Sequence, residues 1–217
     1  MPNQRLATVV ARFAQATHHL SERMLNSETW AWEAYVGVRY AFLQTYLELR
    51  DLAARLLAER TASAQPPTEA QRALAQHHAA FRDFQSLLLG IDDAFVTTPP
   101  AVAEWPINVI LTHVHEVEGY FFATILNALR NPEPKRVNAE QRALLLGADF
   151  VLNDQASLAV MWQNYEQFHA RLLAELASLS PDQLAIIAPM WEPGPVSVRF
   201  RLHRFEAHLR EHTNQLE

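Results

Sequence analysis

The sequence predicts an all-α protein, an antiparallel helical bundle preceded by a helical hairpin. Long segments repeat apolar residues at helical spacing, and no segment alternates apolar and polar residues for more than a few positions. Three capping boxes, Thr68 with Gln71, Asn138 with Gln141 and Ser180 with Gln183, mark helix starts. The connections between the long segments are mostly short, as in a bundle. With 217 residues and only 5 glycines the chain is long enough to bury a sizeable core and poor in the residue that interrupts helices.

Along the chain, residues 3 to 25 carry Leu6, Val9, Val10, Phe13, Leu20 and Met24 at helical spacing, and the polar run Asn26-Ser27-Glu28-Thr29 ends the pattern. Residues 30 to 60 continue with Tyr35, Val38, Phe42, Tyr46, Leu49 and Leu56, and the linker TASAQPP closes the hairpin. Residues 1–63 are therefore expected to form two long helices packed on a bundle that spans 68–217. Their apolar stripes need a cover, supplied by the bundle or, in a homodimer, by a second copy of the chain. The helix opened by Thr68 runs toward Gly90, and Trp105-Pro106 places a proline in the first turn of the next, which ends at Asn131-Pro132. A short helix follows Asn138, a long one ends by Leu179, and the segment APMWEPGPVS separates it from a last helix starting near Ser197.

Composition removes whole classes of function. The formal charge is −6 and no basic run appears, so nucleic acid is not an expected partner. There is no apolar run long enough to span a membrane and no signal-peptide pattern at the start, so a cytoplasmic protein without a membrane partner is expected. With no cysteine there is no disulfide, no zinc–thiolate site and no cysteine nucleophile, and thiol chemistry would need a thiol as cosubstrate. The 10 histidines stand out against this background.

Helical phase sorts those histidines. After Trp105-Pro106 the stripe is Ile110, Val114, Val117, Phe121 and Ile125; His113 lies about 80° from its centre and His115 about 120°, facing solvent. On the last helix the stripe is Leu202, Phe205, Leu209 and Leu216, with His212 about 45° and His208 about 85° from its centre, and His203 about 135° away, pointing outward. His208 and His212 are four residues apart, so both rings can reach one ion, and His113 is the third inward-facing imidazole. Three neutral imidazoles suit zinc, nickel, copper or iron and leave coordination positions for water or substrate. His18-His19 and His77-His78 are adjacent pairs whose members diverge by about 100°, so they read as surface or packing residues. Glu166 and His169 make a single Glu-x-x-His where a di-iron bundle needs two, which disfavours that centre. The tryptophans and the series Tyr35, Tyr40, Tyr46 are explained by core packing.

Trp105 followed by His113 in WPINVILTHVHEVEGYF, and His208 and His212 in RFRLHRFEAHLREHTNQLE, resemble the DinB/YfiT-like metalloprotein superfamily. There a tryptophan opens the second bundle helix, a histidine two turns on is the first ligand, and a C-terminal His-x-x-x-His, commonly followed by Arg-Gly-Gln, supplies the others. Here Gln215 matches and the Arg-Gly pair is replaced by Thr213-Asn214. The resemblance covers about residues 68 to 217 and implies a DinB/YfiT-like four-helix bundle with His113, His208 and His212 as ligands of one divalent ion, zinc, nickel or iron. It further implies a metal-dependent transferase or hydrolase acting on a small electrophilic molecule, with a low-molecular-weight thiol among the cosubstrates the family uses. The alternative is a non-catalytic metal-binding or stress-associated protein that acts by oligomeric assembly. No catalytic residue is assigned; Glu118, on the inner side near His113, is the candidate for supporting or acid–base work.

Overall fold

The computed structural model describes residues 2–28, 31–32, 35–147, 150, 152–192 and 194–216, without the side chains of 2–7, 10, 32 and 35. Trp30 and the side chains of Leu6, Val10, Trp32 and Tyr35, all invoked above, lie outside the described residues. The chain divides into two compact units, Met1–Pro67 and Thr68–Glu217.

In the first unit, α1 (Pro2–Thr17) and α2 (Glu22–Leu25) precede a two-residue antiparallel ladder of β1 (Ala31–Trp32) and β2 (Tyr35–Val36), and α3 spans Val38–Ala62. The expected pair of unbroken helices is thus interrupted twice. The first ends at Thr17, whose hydroxyl turns back onto the Phe13 carbonyl at 2.8 Å, and Ser21 then caps α2. The second starts eight residues later than its apolar pattern suggests, because Trp32, Tyr35 and Val36 are strand formers. Within this unit Phe13 of α1 meets Phe42 of α3 edge to face at 5.6 Å, and Arg39 of α3 donates to Asn26 after α2 at 2.8 Å.

The second unit is a four-helix bundle of α4 (Glu69–Leu87), α6 (Ile107–Arg130), α8 (Leu158–Leu176) and α10 (Val198–Leu216). Short helices α5 (Asp93–Val96), α7 (Ala139–Leu146) and α9 (Pro181–Ala185) lie in the connections. Capping boxes are formed at Thr68, Asn138 and Ser180, as the sequence predicts. Helix directions follow from the cross-helix pairs. Glu69 pairs with Arg199 and Asp83 with Arg210, so α4 and α10 run parallel; Glu118 meets Tyr165 and Phe122 meets Phe168, so α6 and α8 do too. The antiparallel pairs are α4 with α8, through Phe84–Trp162 and His78–His169, and α6 with α10, through His113–His208 and Phe121–Phe205. The long connection from Asn131 to Ser157 makes this possible, since it carries the chain back along the bundle before α8 begins.

The core is aromatic at its centre, with Phe81, Phe84, Phe121, Phe122, Tyr165 and Phe205 fully buried. Arg201 is buried as well; it donates to the Ala188 carbonyl at 3.0 and 3.1 Å and clamps Glu192. With the Ala188–Val196 and Val198–Ile186 backbone bonds, each 2.8 Å, this pins the 186–197 segment to the start of α10. Among the described residues no helix is long and apolar enough to cross a membrane.

Gly119 is the tight point of α6. A Cβ there would lie 2.1 Å from Cζ of Phe150, whose ring is held between His115 at 4.3 Å and Phe168 at 5.0 Å. At an ordinary helix position Gly→Ala stabilises by about 1 kcal/mol. Gly119→Ala is expected to do the opposite and cost about 1–3 kcal/mol through overpacking, read as a lower midpoint in urea at unchanged slope.

Candidate metal centre

The antiparallel contact of α6 and α10 brings the start of one helix to the end of the other, and three histidines meet there. Nε2 of His208 lies 3.4 Å from Nε2 of His113 and 3.2 Å from Nε2 of His212, and a ligand nitrogen of each of the three falls within 4.8 Å of the others. His208 and His212 are buried, and His113 is half-buried at the rim. Nitrogens bound tetrahedrally at about 2.0–2.1 Å from one ion stand about 3.3 Å apart, so the observed spacing fits a shared ion. Among the described residues no fourth His, Asp or Glu joins the group.

Neighbouring groups fix the state of the three rings. Nδ1 of His212 lies 2.8 Å from Oε1 of Gln215, an acceptor that draws the ring proton to Nδ1 and leaves the Nε2 lone pair facing the other two histidines. Trp105 stands edge-on to His113 at 5.1 Å and stacks over His212 at 6.4 Å, forming a partly exposed wall. Burial lowers the pKa of His208 to about 3, with the other two histidines and Arg204 adding to the effect. Burial also lowers His113, helped by His212 and opposed by Glu116 and Glu211. Both rings are therefore neutral near pH 7, the form that binds a metal ion.

Elsewhere the structure departs from the phase reading. His115, expected to face solvent, is only 3% exposed, stacked on Phe150 and edge-on to Phe168 at 5.1 Å. The reason is that α6 is covered on two sides, by α10 on one and by Phe150 and α8 on the other, so its apolar stripe understates its buried face. His203 is exposed, as its phase implies.

Glu118 is fully buried but turned toward Tyr165, whose hydroxyl donates to Oε2 at 3.0 Å, and toward His77, whose Nε2 lies 3.6 Å away. Burial raises the Glu118 carboxyl well above its usual range and lowers His77 to about 3, so both are neutral and their proximity is no ion pair. His169 joins them, buried against Phe81 at 3.9 Å and 3.0 Å from Nδ1 of His78, while Glu166 faces outward to Arg82. This internal polar cluster was not singled out from the sequence, although His77 falls on the same stripe as Leu74 and Phe81 and its phase points inward.

The family model described as the DinB superfamily matches residues 76–216. The chain belongs to the DinB superfamily. Among solved structures it is similar to that of YfiT from Bacillus subtilis, described as a probable metal-dependent hydrolase with an unusual four-helix bundle topology. The TM-score is 0.54 at 13% identity, over 68% of this chain and 83% of that one, a likeness of fold. No curated protein matches the chain.

The buried neutral imidazoles make acid sensitivity predictable. His77 and His169 have folded pKa values far below the 6.5 of a free imidazole, so below pH 6.5 the unfolded chain binds protons that the folded chain refuses. Their stabilising contribution is complete above that value and is lost as pH falls toward the folded pKa. Each of the two should contribute a drop of roughly 1.4 kcal/mol per pH unit to the unfolding free energy from urea titrations between about pH 5.5 and 4.5, with buried His115 and His208 adding to it and Glu118, held protonated in the fold, opposing it. A pH-independent stability across that window would show that one or both rings reach water in the folded state.

Proposed function

We propose that this DinB-superfamily chain is a metal-dependent enzyme, a hydrolase or transferase acting on a small electrophilic molecule, with one divalent ion held by His113, His208 and His212. The observation that carries this is the convergence of three neutral imidazoles at tetrahedral spacing with no fourth protein ligand among the described residues. When bound, zinc, nickel or iron supplies a Lewis acid and a nucleophile near neutral pH. The residues do the rest. Gln215 fixes the His212 tautomer, the α6–α10 packing sets the angle between rings, and Trp105 shields one side from water. Hydrolysis is supported by the description of YfiT, and transfer to a low-molecular-weight thiol suits a chain without cysteine of its own. The partial exposure of His113 and Trp105 favours catalysis over the alternative of a non-catalytic assembly protein, whose open coordination side would be packed shut.

The test begins with the metal content of protein purified without an affinity tag. Replacing His113, His208 or His212 by Ala should remove the ion. In excess metal each variant should lose the stabilisation that binding confers, roughly 2.7 kcal/mol at a hundred times the dissociation constant. His203→Ala should keep both metal and melting temperature. His115→Ala should keep the metal but melt lower, because it leaves Phe150 unsupported. Ester, amide and thiol-transfer substrates should turn over only without chelator. A metal-free protein, or a His208→Ala variant that binds as tightly as the parent, would overturn the assignment.

A further inference from the structure

A cavity lies beside Tyr120 of α6. It measures about 300 Å³ and is lined by Tyr120, Arg136, Val137, Met190 and Trp191. Tyr120 is seven residues after His113, two helical turns along one face, so about 10 Å separates the two positions. From the α10 side Arg204 is one turn before His208 and shares its face. Phe121 links the two regions: its ring lies 5.9 Å from the His208 ring, 5.8 Å from Trp191, and 5.9 Å from the Arg204 guanidinium carbon.

The charges around this cavity are unbalanced. Arg82, Arg171, Arg199, Arg201 and Arg210 of the bundle each hold a carboxylate. Arg136 and Arg142 hold no carboxylate within 4.0 Å among the described residues, and Arg204 holds none that close although its charge acts on Glu192, in a chain whose formal charge is −6. Arg142 lies 4.3 Å over the Tyr120 ring, and Arg204 is half-buried against Phe121. The loop that carries Trp191 is held in place by the Arg201–Glu192 clamp, so the exposed Trp191 indole is positioned by a buried anchor. Half-exposed aromatic walls with Arg136 in the lining and Arg204 nearby match a flat apolar body that ends in an anion.

We propose that this cavity is the binding site for the non-reacting part of the substrate, a flat apolar group bearing a carboxylate. The carboxylate meets Arg204 and Arg136, the flat body lies against Trp191 and Tyr120, and the reacting group reaches the three histidines about 10 Å away. The proposal rests on the reading of those histidines as the reaction centre, but the subsite can be tested apart from it.

Calorimetric titration of the full-length protein with biphenyl-4-carboxylate and with its neutral amide, each before and after chelation, is the experiment. The carboxylate is expected to bind at least about tenfold more tightly than the amide. That preference should survive chelation, vanish in Arg204→Gln and shrink in Arg136→Gln, while Trp191→Ala should weaken both probes. Arg136 is exposed, so its substitution reports even if Arg204→Gln is poorly folded. Equal binding of acid and amide, or no binding of the acid at millimolar concentration, would overturn the proposal. So would a preference that disappears on chelation yet persists in Arg204→Gln, because the carboxylate would then sit on the ion. Loss of the metal assignment alone would leave the acid-over-amide preference intact, which separates the two failures.

Discussion

Phe121 of α6 and Phe205 of α10 meet edge to face at 5.5 Å, and the position of every site residue follows from that buried contact. The two helices run antiparallel, so moving back eight residues from Phe121 reaches His113 while moving forward three and seven from Phe205 reaches His208 and His212. At about 1.5 Å per residue these displacements are comparable, roughly 12 Å on one helix and 5 to 10 Å on the other, and the rings converge. A shift of one residue in either helix would rotate its histidine by about 100° and lift it out of the group. The site is thus a consequence of how the core packs, and the energy that fixes ring geometry comes from apolar burial rather than from any contact between the histidines.

That arrangement has an electrostatic cost. His208 loses hydration, Nδ1 of the same ring is buried without a partner among the described residues, and the adjacent imidazoles oppose any added positive charge. A neutral nitrogen that takes up no proton near pH 7 keeps its lone pair free for a metal ion, so burial removes competition from protons at this group. The inner cluster of His77, Glu118, Tyr165 and His169 is different in kind. Its groups are neutral, and Glu118 takes a hydrogen bond from Tyr165 while Oε1 stays unpartnered, as do both nitrogens of His77. Its protonation is set chiefly by burial, with neighbouring imidazoles also lowering His77 and His169, and it contributes to the acid response of the fold.

Caps located the start of α4 and of the connecting helices α7 and α9, because Thr68, Asn138 and Ser180 signal their own hydrogen bonds, and periodicity located the other bundle helices, the α10 stripe being narrow enough to give phase. The spacing of His208 and His212 was legible for the same reason. Three features were hidden. His115 was misplaced because α6 is buried on two sides, the second by Phe150, a residue distant in sequence whose packing no local pattern announces. The breaks within residues 3 to 60 were missed because short apolar runs read equally as helix or strand. The parallel pairings of α4 with α10 and α6 with α8 depend on where the long 131–157 connection goes, and composition carries no such information.

The division of labour within the bundle bears on how such a site could serve different substrates. All three histidines come from long helices locked by the aromatic core, so their mutual geometry is insensitive to changes in the connections. The cavity beside Tyr120 is built differently: Arg136 and Val137 come from the connection after α6, and Met190 and Trp191 from the segment clamped by Arg201. Connections tolerate substitution and insertion more readily than packed helices do. With the cavity as the proposed subsite, changes in these two segments alter which molecule it takes without disturbing the nitrogens, and Arg201 explains how a loop segment can nonetheless hold Trp191 in place. Its guanidinium is fully buried, satisfied by Glu192 and the Ala188 carbonyl, and so ties the most variable kind of structure in the molecule to the same helix that carries His208 and His212.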